Sequence, residues 1–346
     1  MSTYNLSRSA SLVSGAACGL AVGVAIAGTL RRPTHRSFAG KIALITGGSR
    51  GLGLELARHL GAQGCKLILV ARDPAELDEA ANELSASGVD VRTIAADVSD
   101  RASIERLRDE ALAAFGHIDI LVNNAGIITV GPVDSFEPSD FERAMDTMYW
   151  GTARLTIALL PALLKTGDAD IVNITSIGGK IAVPHLLPYS AAKFAATGFS
   201  KALGAELRGR GVHVLTVTPG LMRTGSFVNA EFAGNARSEY RWFALSSAMP
   251  GISMSAPRAA EMITRSLRRR DRELVITKAA QLGSRFSGLF PALTQRLLEM
   301  ANDWILPGPD SNHKHYKGSE LHSEQSPVVQ YLTTPGKAAA AKQNEF

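Results

Sequence analysis

The sequence has only two cysteines in 346 residues, Cys18 and Cys65. They fall in stretches of very different character, which excludes a disulfide framework and fits a reducing compartment. None of the eight histidines stands in metal-ligand spacing with a cysteine or carboxylate, so no metal site is expected. His313 and His315 fall in a polar stretch and read as exposed. Aromatics make up 6% of the chain, which speaks against an aromatic-rich β-sandwich. No aromatic interleaving or DNA-reading motif accompanies the basic residues, and nucleic acid is excluded as a partner on that ground. No repeat recurs at solenoid periods.

Glycine and alanine are plentiful instead, which favours close helix–sheet packing. The chain is 45% hydrophobic and 20% charged, ordinary values for a protein with a full core. Its length suits one large α/β domain or two ordinary ones.

Residues 9–30 carry no charge over 22 positions. A helix of that length spans ~30 Å, about one hydrocarbon core. Gly15, Gly19 and Gly23 share one face of it, the small-residue spacing that lets membrane helices approach closely. A cleaved signal peptide is the rival, because Ala25-Ile26-Ala27 resembles a cleavage site. Against it, the region before the run has only Arg8, and the cluster Arg31, Arg32, Arg36 and Lys41 follows the run. That asymmetry predicts a membrane anchor over 1–36 with the main domain in the cytoplasm. A second basic stretch, 257–296, holds nine Lys/Arg against three Asp/Glu. It reads either as a solvated helix face or as a contact for anionic lipid headgroups.

From Lys41 onward, short apolar runs alternate with helical patterns. The runs are 41–46, 66–71, 91–96, 118–123, 170–175 and 212–217, with 273–277 a candidate seventh. The helices are expected near 51–63, 74–87, 101–115, 139–165 and 189–209. This alternation predicts a doubly wound α/β fold with a parallel sheet and helices on both faces. Residues 278–306 place Leu282, Phe286, Leu289, Phe290, Leu293 and Leu297 at helical spacing, broken by Pro291. Residues 307–346 read as a flexible polar tail.

The segment Thr46-Gly47-Gly48-Ser49-Arg50-Gly51-Leu52-Gly53 joins the first strand to the first helix. Its glycines permit a tight turn, and a helix N-terminus offers free N–H groups and a positive dipole end to phosphates. Tyr189 and Lys193 stand at i and i+4 on one helix, so the ammonium lies near the phenol. A nearby cation stabilises a phenolate and makes it usable as a general acid/base. Ser176 stands at the end of the fifth strand.

These motifs together resemble the short-chain dehydrogenase/reductase family. Residues 46–53 match its T-G-x-x-x-G-x-G loop, and Tyr189-Ser190-Ala191-Ala192-Lys193 matches its Y-x-x-x-K. Asn123-Asn124-Ala125-Gly126 matches its N-N-A-G, and Ala96-Asp97-Val98 resembles its adenine-side aspartate. Pro219-Gly220 with Thr224 resembles its nicotinamide-side loop. The resemblance covers roughly residues 40–276. It implies a Rossmann-type catalytic domain, here bounded at 37–277. It also implies a cofactor site of Thr46, Gly47, Ser49, Arg50, Gly51, Gly53, Arg72, Asp97, Asn124, Ala125, Gly126, Tyr189, Lys193, Pro219, Gly220 and Thr224. Catalysis by Ser176, Tyr189 and Lys193 is implied with it: Tyr189 exchanges the proton, Lys193 tunes it and holds the ribose, and Ser176 orients the substrate oxygen.

NADP(H) is the expected cofactor. NAD sites usually place a carboxylate at the end of the second strand. Here that place is Val70-Ala71-Arg72, and Arg72 with Arg50 suits a 2′-phosphate. Asp73 works against this assignment if it folds back toward the ribose. One position departs from the family pattern: Met148 stands where the family carries an Asn that helps hold a water of the proton relay. A thioether cannot make the amide's hydrogen bonds.

The segment 221–255 is expected over the substrate cleft. Phe227, Phe232, Tyr240, Trp242, Phe243, Leu245, Met249 and Met254 either wall a hydrophobic site or pack a lid. The expected partners are a small hydrophobic carbonyl or alcohol, membrane lipid and a second copy of the chain. The competing class is a catalytically weak cofactor-binding scaffold or sensor, to which Met148 points. A dehydratase or epimerase fits Ser176, Tyr189 and Lys193 less well.

Overall fold

A computed structural model describes residues 36–249 and 252–345. Seven parallel strands form the central sheet: β1 Ile42–Thr46, β2 Lys66–Ala71, β3 Val91–Ala95, β4 Ile120–Asn123, β5 Ala169–Ile174, β6 Val212–Pro219 and β7 Glu273–Ile276. Their order across the sheet is β7-β6-β5-β4-β1-β2-β3. β1 and β5 are buried along their whole length, as strands covered on both faces must be. Alternate residues then feed two cores. Ile45 packs with Leu54, Leu60 and Ile263 on one face, while Leu44 packs with Ile104, Leu107 and Leu159 on the other.

The crossovers are α1 Gly51–Gly61, α2 Pro74–Ala86, α3 Arg101–Phe115, a three-part helical run from 138 to 166, and α6 Leu187–Glu206. In the run, α4 Pro138–Met145 and α5 Gly151–Thr166 flank a π-helical turn, Asp146–Trp150. The single helix expected near 139–165 is therefore interrupted, and Met148 lies within the interruption. Such turns recur at functional sites.

The segment after β6 builds a smaller core. A short helix Ser226–Asn229 and α7 Ala236–Ala248 bring in Phe227, Tyr240 and Phe243. Phe227, Phe232, Tyr240 and Phe243 are buried there, so these four pack the lid. α8 Ala256–Arg268 returns the chain to β7.

Residues 278–304 form two helices, α9 Lys278–Leu289 and α10 Pro291–Trp304, divided at Pro291. Leu282, Leu289, Leu293, Leu297, Met300 and Trp304 stay exposed on them.

The stretch expected as a flexible tail is instead ordered. Tyr316–Lys317 pairs antiparallel with Glu231–Phe232, a short helix spans Gly318–His322, and α11 covers Pro327–Lys342. Leu321, Val329 and Ala340 are buried, and the Tyr240 hydroxyl meets His322 Nδ1 at 2.8 Å. The stretch is polar on average but owns enough apolar positions at helical spacing to complete the smaller core. The apolar run 9–30 and Cys18 lie outside the described residues. Among those described, no helix is long and apolar enough to cross a membrane. Cys65 is buried and free, and burial pushes its thiol up to about 12.

Candidate active site

The strand order reverses between β1 and β4, the place where doubly wound sheets bind ligands at their carboxyl ends. There the loop after β1 is tied to the loop after β4. Thr46 Oγ1 accepts from the Asn124 and Ala125 amides at 2.9 and 3.1 Å. The Asn124 side-chain amide donates to the Thr46 and Gly47 carbonyls, each at 3.1 Å. A Cβ on Gly53 would stand 1.9 Å from the Gly47 carbonyl oxygen. Only glycine allows the helix to start so close to the loop.

Ser176 follows β5 and is nearly buried. Its hydroxyl accepts the Gly178 amide at 3.0 Å and lies near enough to the Tyr189 phenol to pull its pKa down. It therefore caps a turn and acts on the phenol at once. Thr175 turns the other way, donating to Val217 O at 2.7 Å. Lys193 is buried, and Nζ donates to Ile174 O at 2.9 Å. That Nζ stands 5.8 Å from the Tyr189 ring centre. It also lies 3.7 Å from where a Gly126 Cβ would be.

Burial governs both titrating groups. It raises the Tyr189 phenol above its ordinary value, with the Ser176 bond pulling the other way. It pushes the Lys193 ammonium down to about 8. The expected lowering of Tyr189 by the neighbouring ammonium is not found: desolvation dominates, and the group that opposes it is Ser176.

Arg72 is exposed just past β2. Asp73 is engaged as the N-cap of α2, accepting the Ala75 and Glu76 amides at 2.8 and 3.4 Å. Sequence reasoning missed Glu76 in the first turn of α2. It accepts from Ser49 Oγ at 2.9 Å and pairs with Arg50 at 2.6 Å. No motif flags it, because its role comes from the β1 and β2 loops lying side by side. Asp97 accepts from both the amide and hydroxyl of Ser99, at 2.8 and 2.7 Å. Gly220, after β6, donates to Ile276 O at 3.1 Å. Thr224 is buried and caps the next turn through Ser226 N at 3.1 Å.

Met148 is buried against Ala144 and Ala192, with Ile127 and Tyr189 packed beside them. It fills an apolar niche beside Tyr189. Also unforeseen is a buried pair, His185 Nδ1 with Glu239 Oε1 at 2.8 Å, which ties the loop before α6 to α7. Among the described residues, no cluster of His, Cys, Asp or Glu could hold a metal ion.

Residues 41–232 match the short chain dehydrogenase family model, more than half of the chain, so the protein belongs to the short-chain dehydrogenase/reductase family. The family is one of oxidoreductases acting on CH–OH groups, and its solved members similar to this chain hold NAD or NADPH. The protein is 37% identical to dehydrogenase/reductase SDR family member 7B of Bos taurus over 202 residues, 57% of this chain and 62% of that protein. The match therefore spans less than two thirds of that relative's length. A short-chain dehydrogenase/reductase of Burkholderia phymatum, solved in complex with NAD, superposes with a TM-score of 0.69 at 25% identity. That likeness covers 75% of this chain and 96% of the other. L-Sorbose reductase of Gluconobacter frateurii, solved with NADPH and L-sorbose, superposes with a TM-score of 0.63 at 25% identity, covering 70% of this chain and 97% of its own.

Proposed function

We propose that the protein is an NADP(H)-dependent oxidoreductase for a hydrophobic carbonyl or alcohol, with Ser176, Tyr189 and Lys193 as its catalytic residues. The observation that carries this reading is the meeting of those three side chains at the carboxyl end of β5, beside Gly126. The site fits a dinucleotide. The Gly47–Gly53 approach keeps the loop's own side chains off its backbone, and no side chain caps α1, although residues 343–345 lie against the loop in this structure. Thr46, Gly47, Ser49, Arg50, Gly51 and Gly53 would face the phosphates, Arg72 and Asp97 the adenosine, and Asn124, Ala125 and Gly126 the ribose side. Pro219, Gly220 and Thr224 would hold the nicotinamide end.

When bound, the nicotinamide supplies or accepts a hydride. The chain's own residues handle the proton and the oxygen. Tyr189, kept neutral by burial, donates its proton to the substrate oxygen in the reducing direction and takes it back in the other. Ser176, whose hydroxyl already acts on the Tyr189 phenol, bonds the same oxygen. Lys193 stays largely protonated at neutral pH and supports the phenolate that Tyr189 becomes.

Two further features support the choice of cofactor and substrate. No acid stands at Ala71, and the Asp73 carboxylate is engaged at its own helix. Tyr189 packs against the smaller core that holds Leu186, as do Ile128, Val183 and Trp242, a setting suited to steroid-, retinoid- or lipid-like molecules. Membrane contact through residues 9–30 belongs to the same proposal. So does contact through the exposed apolar positions of α9 and α10 beside Lys278, Arg285 and Arg296. The test is consumption of NADPH with a panel of lipophilic carbonyls. Binding without consumption would favour the second reading, a scaffold or sensor, which the apolar burial of Met148 behind Tyr189 recommends.

A further inference from the structure

Helix α1 starts without a side-chain cap, yet its first amide is not free. The Gly51 N–H donates to Gln343 O at 2.9 Å. The Asn344 side chain donates to the carbonyls of Ser49 at 3.3 Å and Glu76 at 3.4 Å. A Glu345 carboxylate oxygen lies 2.6 Å from where a Gly51 Cβ would stand. The Asn229 amide holds Glu345 in place, donating to its side chain at 2.7 Å and its carbonyl at 2.9 Å. A carbonyl and a carboxylate therefore sit where the loop's N–H groups and the dipole end of α1 favour phosphate oxygens.

The docking is specific along the whole C-terminal stretch. Arg58 donates to Lys342 O at 3.1 Å. Ala340 is fully buried, and its Cβ occupies the space that a side chain at Gly225 would need. Asn229 lies five residues past Thr224, so residues 343–345 bridge from the glycine loop to the segment that follows the nicotinamide-side loop.

We propose that residues 343–345 are an internal ligand of the glycine loop, competing with the dinucleotide, so that the cofactor binds as this segment withdraws. The inference rests on the reading that the loop holds the cofactor's phosphates. The chemistry makes the segment displaceable. Glu345 is one carboxylate where a dinucleotide brings two phosphates. Its nearest cation, Arg50, is shared with Glu76. Burial outweighs Arg50 and the Asn229 bond and raises the Glu345 carboxyl to about 7, with Glu76 adding to the rise. A group so poorly compensated is a weak anion ligand.

The test compares four proteins by NADPH fluorescence titration: the full chain, Glu345→Ala, Asn229→Ala, and a chain ending at Lys342. Thermal unfolding confirms that each is folded. A segment docked about 90% of the time lowers apparent affinity about tenfold, so each variant should bind NADPH about tenfold more tightly than the full chain. In the full chain, amide hydrogen exchange at 340–345 should accelerate when NADPH is added. Equal affinities in all four proteins overturn the competition. So does a segment that stays protected under saturating NADPH. If no form binds any dinucleotide, the cofactor reading itself falls and this inference falls with it.

Discussion

In the sheet, Thr46 meets Asn124 because β1 and β4 are adjacent parallel strands ending at the same level. In the smaller core, Tyr240 meets His322 across 82 residues from two separate helices, with only the two-residue ladder of Glu231–Phe232 and Tyr316–Lys317 before them. Both contacts are long-range, but only the first follows from a repeating register. The sheet region thus positions its polar groups through regular geometry, and each motif residue lands at a strand end. The smaller core is assembled from separate pieces, residues 226–249 and 316–345, each marginal alone. Chemistry should therefore be concentrated at the sheet, and conformational freedom at the smaller core.

The largest expected effect sharpens this contrast. Tyr189→Phe keeps the ring and removes the proton, so turnover should fall about 10²–10⁴-fold while NADPH affinity holds within about twofold. Steady-state rates beside a binding titration check it. Retained turnover would take the chemistry away from the sheet's edge.

Next in size is a pair of packing variants, one in each region. Leu321→Ala removes a buried side chain of the smaller core and should cost about 2–5 kcal/mol. Gly53→Ala forces a Cβ toward the Gly47 carbonyl and should cost about 1–3 kcal/mol. Their signatures should differ. Hydrogen exchange in Leu321→Ala should rise mainly over 226–249 and 316–345, whereas Gly53→Ala should lose cofactor binding with the sheet intact. Uniform exchange changes in both would erase the distinction between the regions.

A pH dependence isolates Lys193. Its ordinary value is 10.5 and burial lowers it to about 8. Between those values the unfolded chain binds more protons than the folded one, so the lysine penalises folding fully below about 8. The penalty is relieved as pH rises toward 10.5, by at most about 1.4 kcal/mol per pH unit. Wild type should gain on Lys193→Met across that window in denaturant titrations. A constant difference would mean that Lys193 is solvated.

The smallest effect concerns cofactor choice. Arg72 is exposed and Arg50 is already paired with Glu76. Arg72→Ala should therefore weaken NADPH about tenfold, ~1.4 kcal/mol, and leave NADH nearly unchanged. Equal losses for both dinucleotides would remove the 2′-phosphate assignment.

Periodicity and motif order made the sheet legible before any coordinates. The six main runs became β1 to β6 within a few residues, and the run 273–277 became β7. Ser176, Tyr189, Lys193 and the glycine loop could be found because each is a fixed pattern beside a strand end. The break at Pro291 was equally visible, since proline cannot continue a helix across that point.

What the sequence by itself determined is the part controlled by local repetition: two-residue alternation along strands, helical spacing between them, and glycines where the chain turns tightly. Tertiary structure alone decided the rest. Glu76 became a partner of Ser49 and Arg50 because two loops lie side by side, and Met148 fell into a π-helical turn behind Tyr189. The polar stretch beyond residue 307 folded back onto the lid. There a few buried side chains, Leu321, Val329 and Ala340, outweigh its average polarity. Burial depends on which surfaces meet, and no window of sequence contains both surfaces.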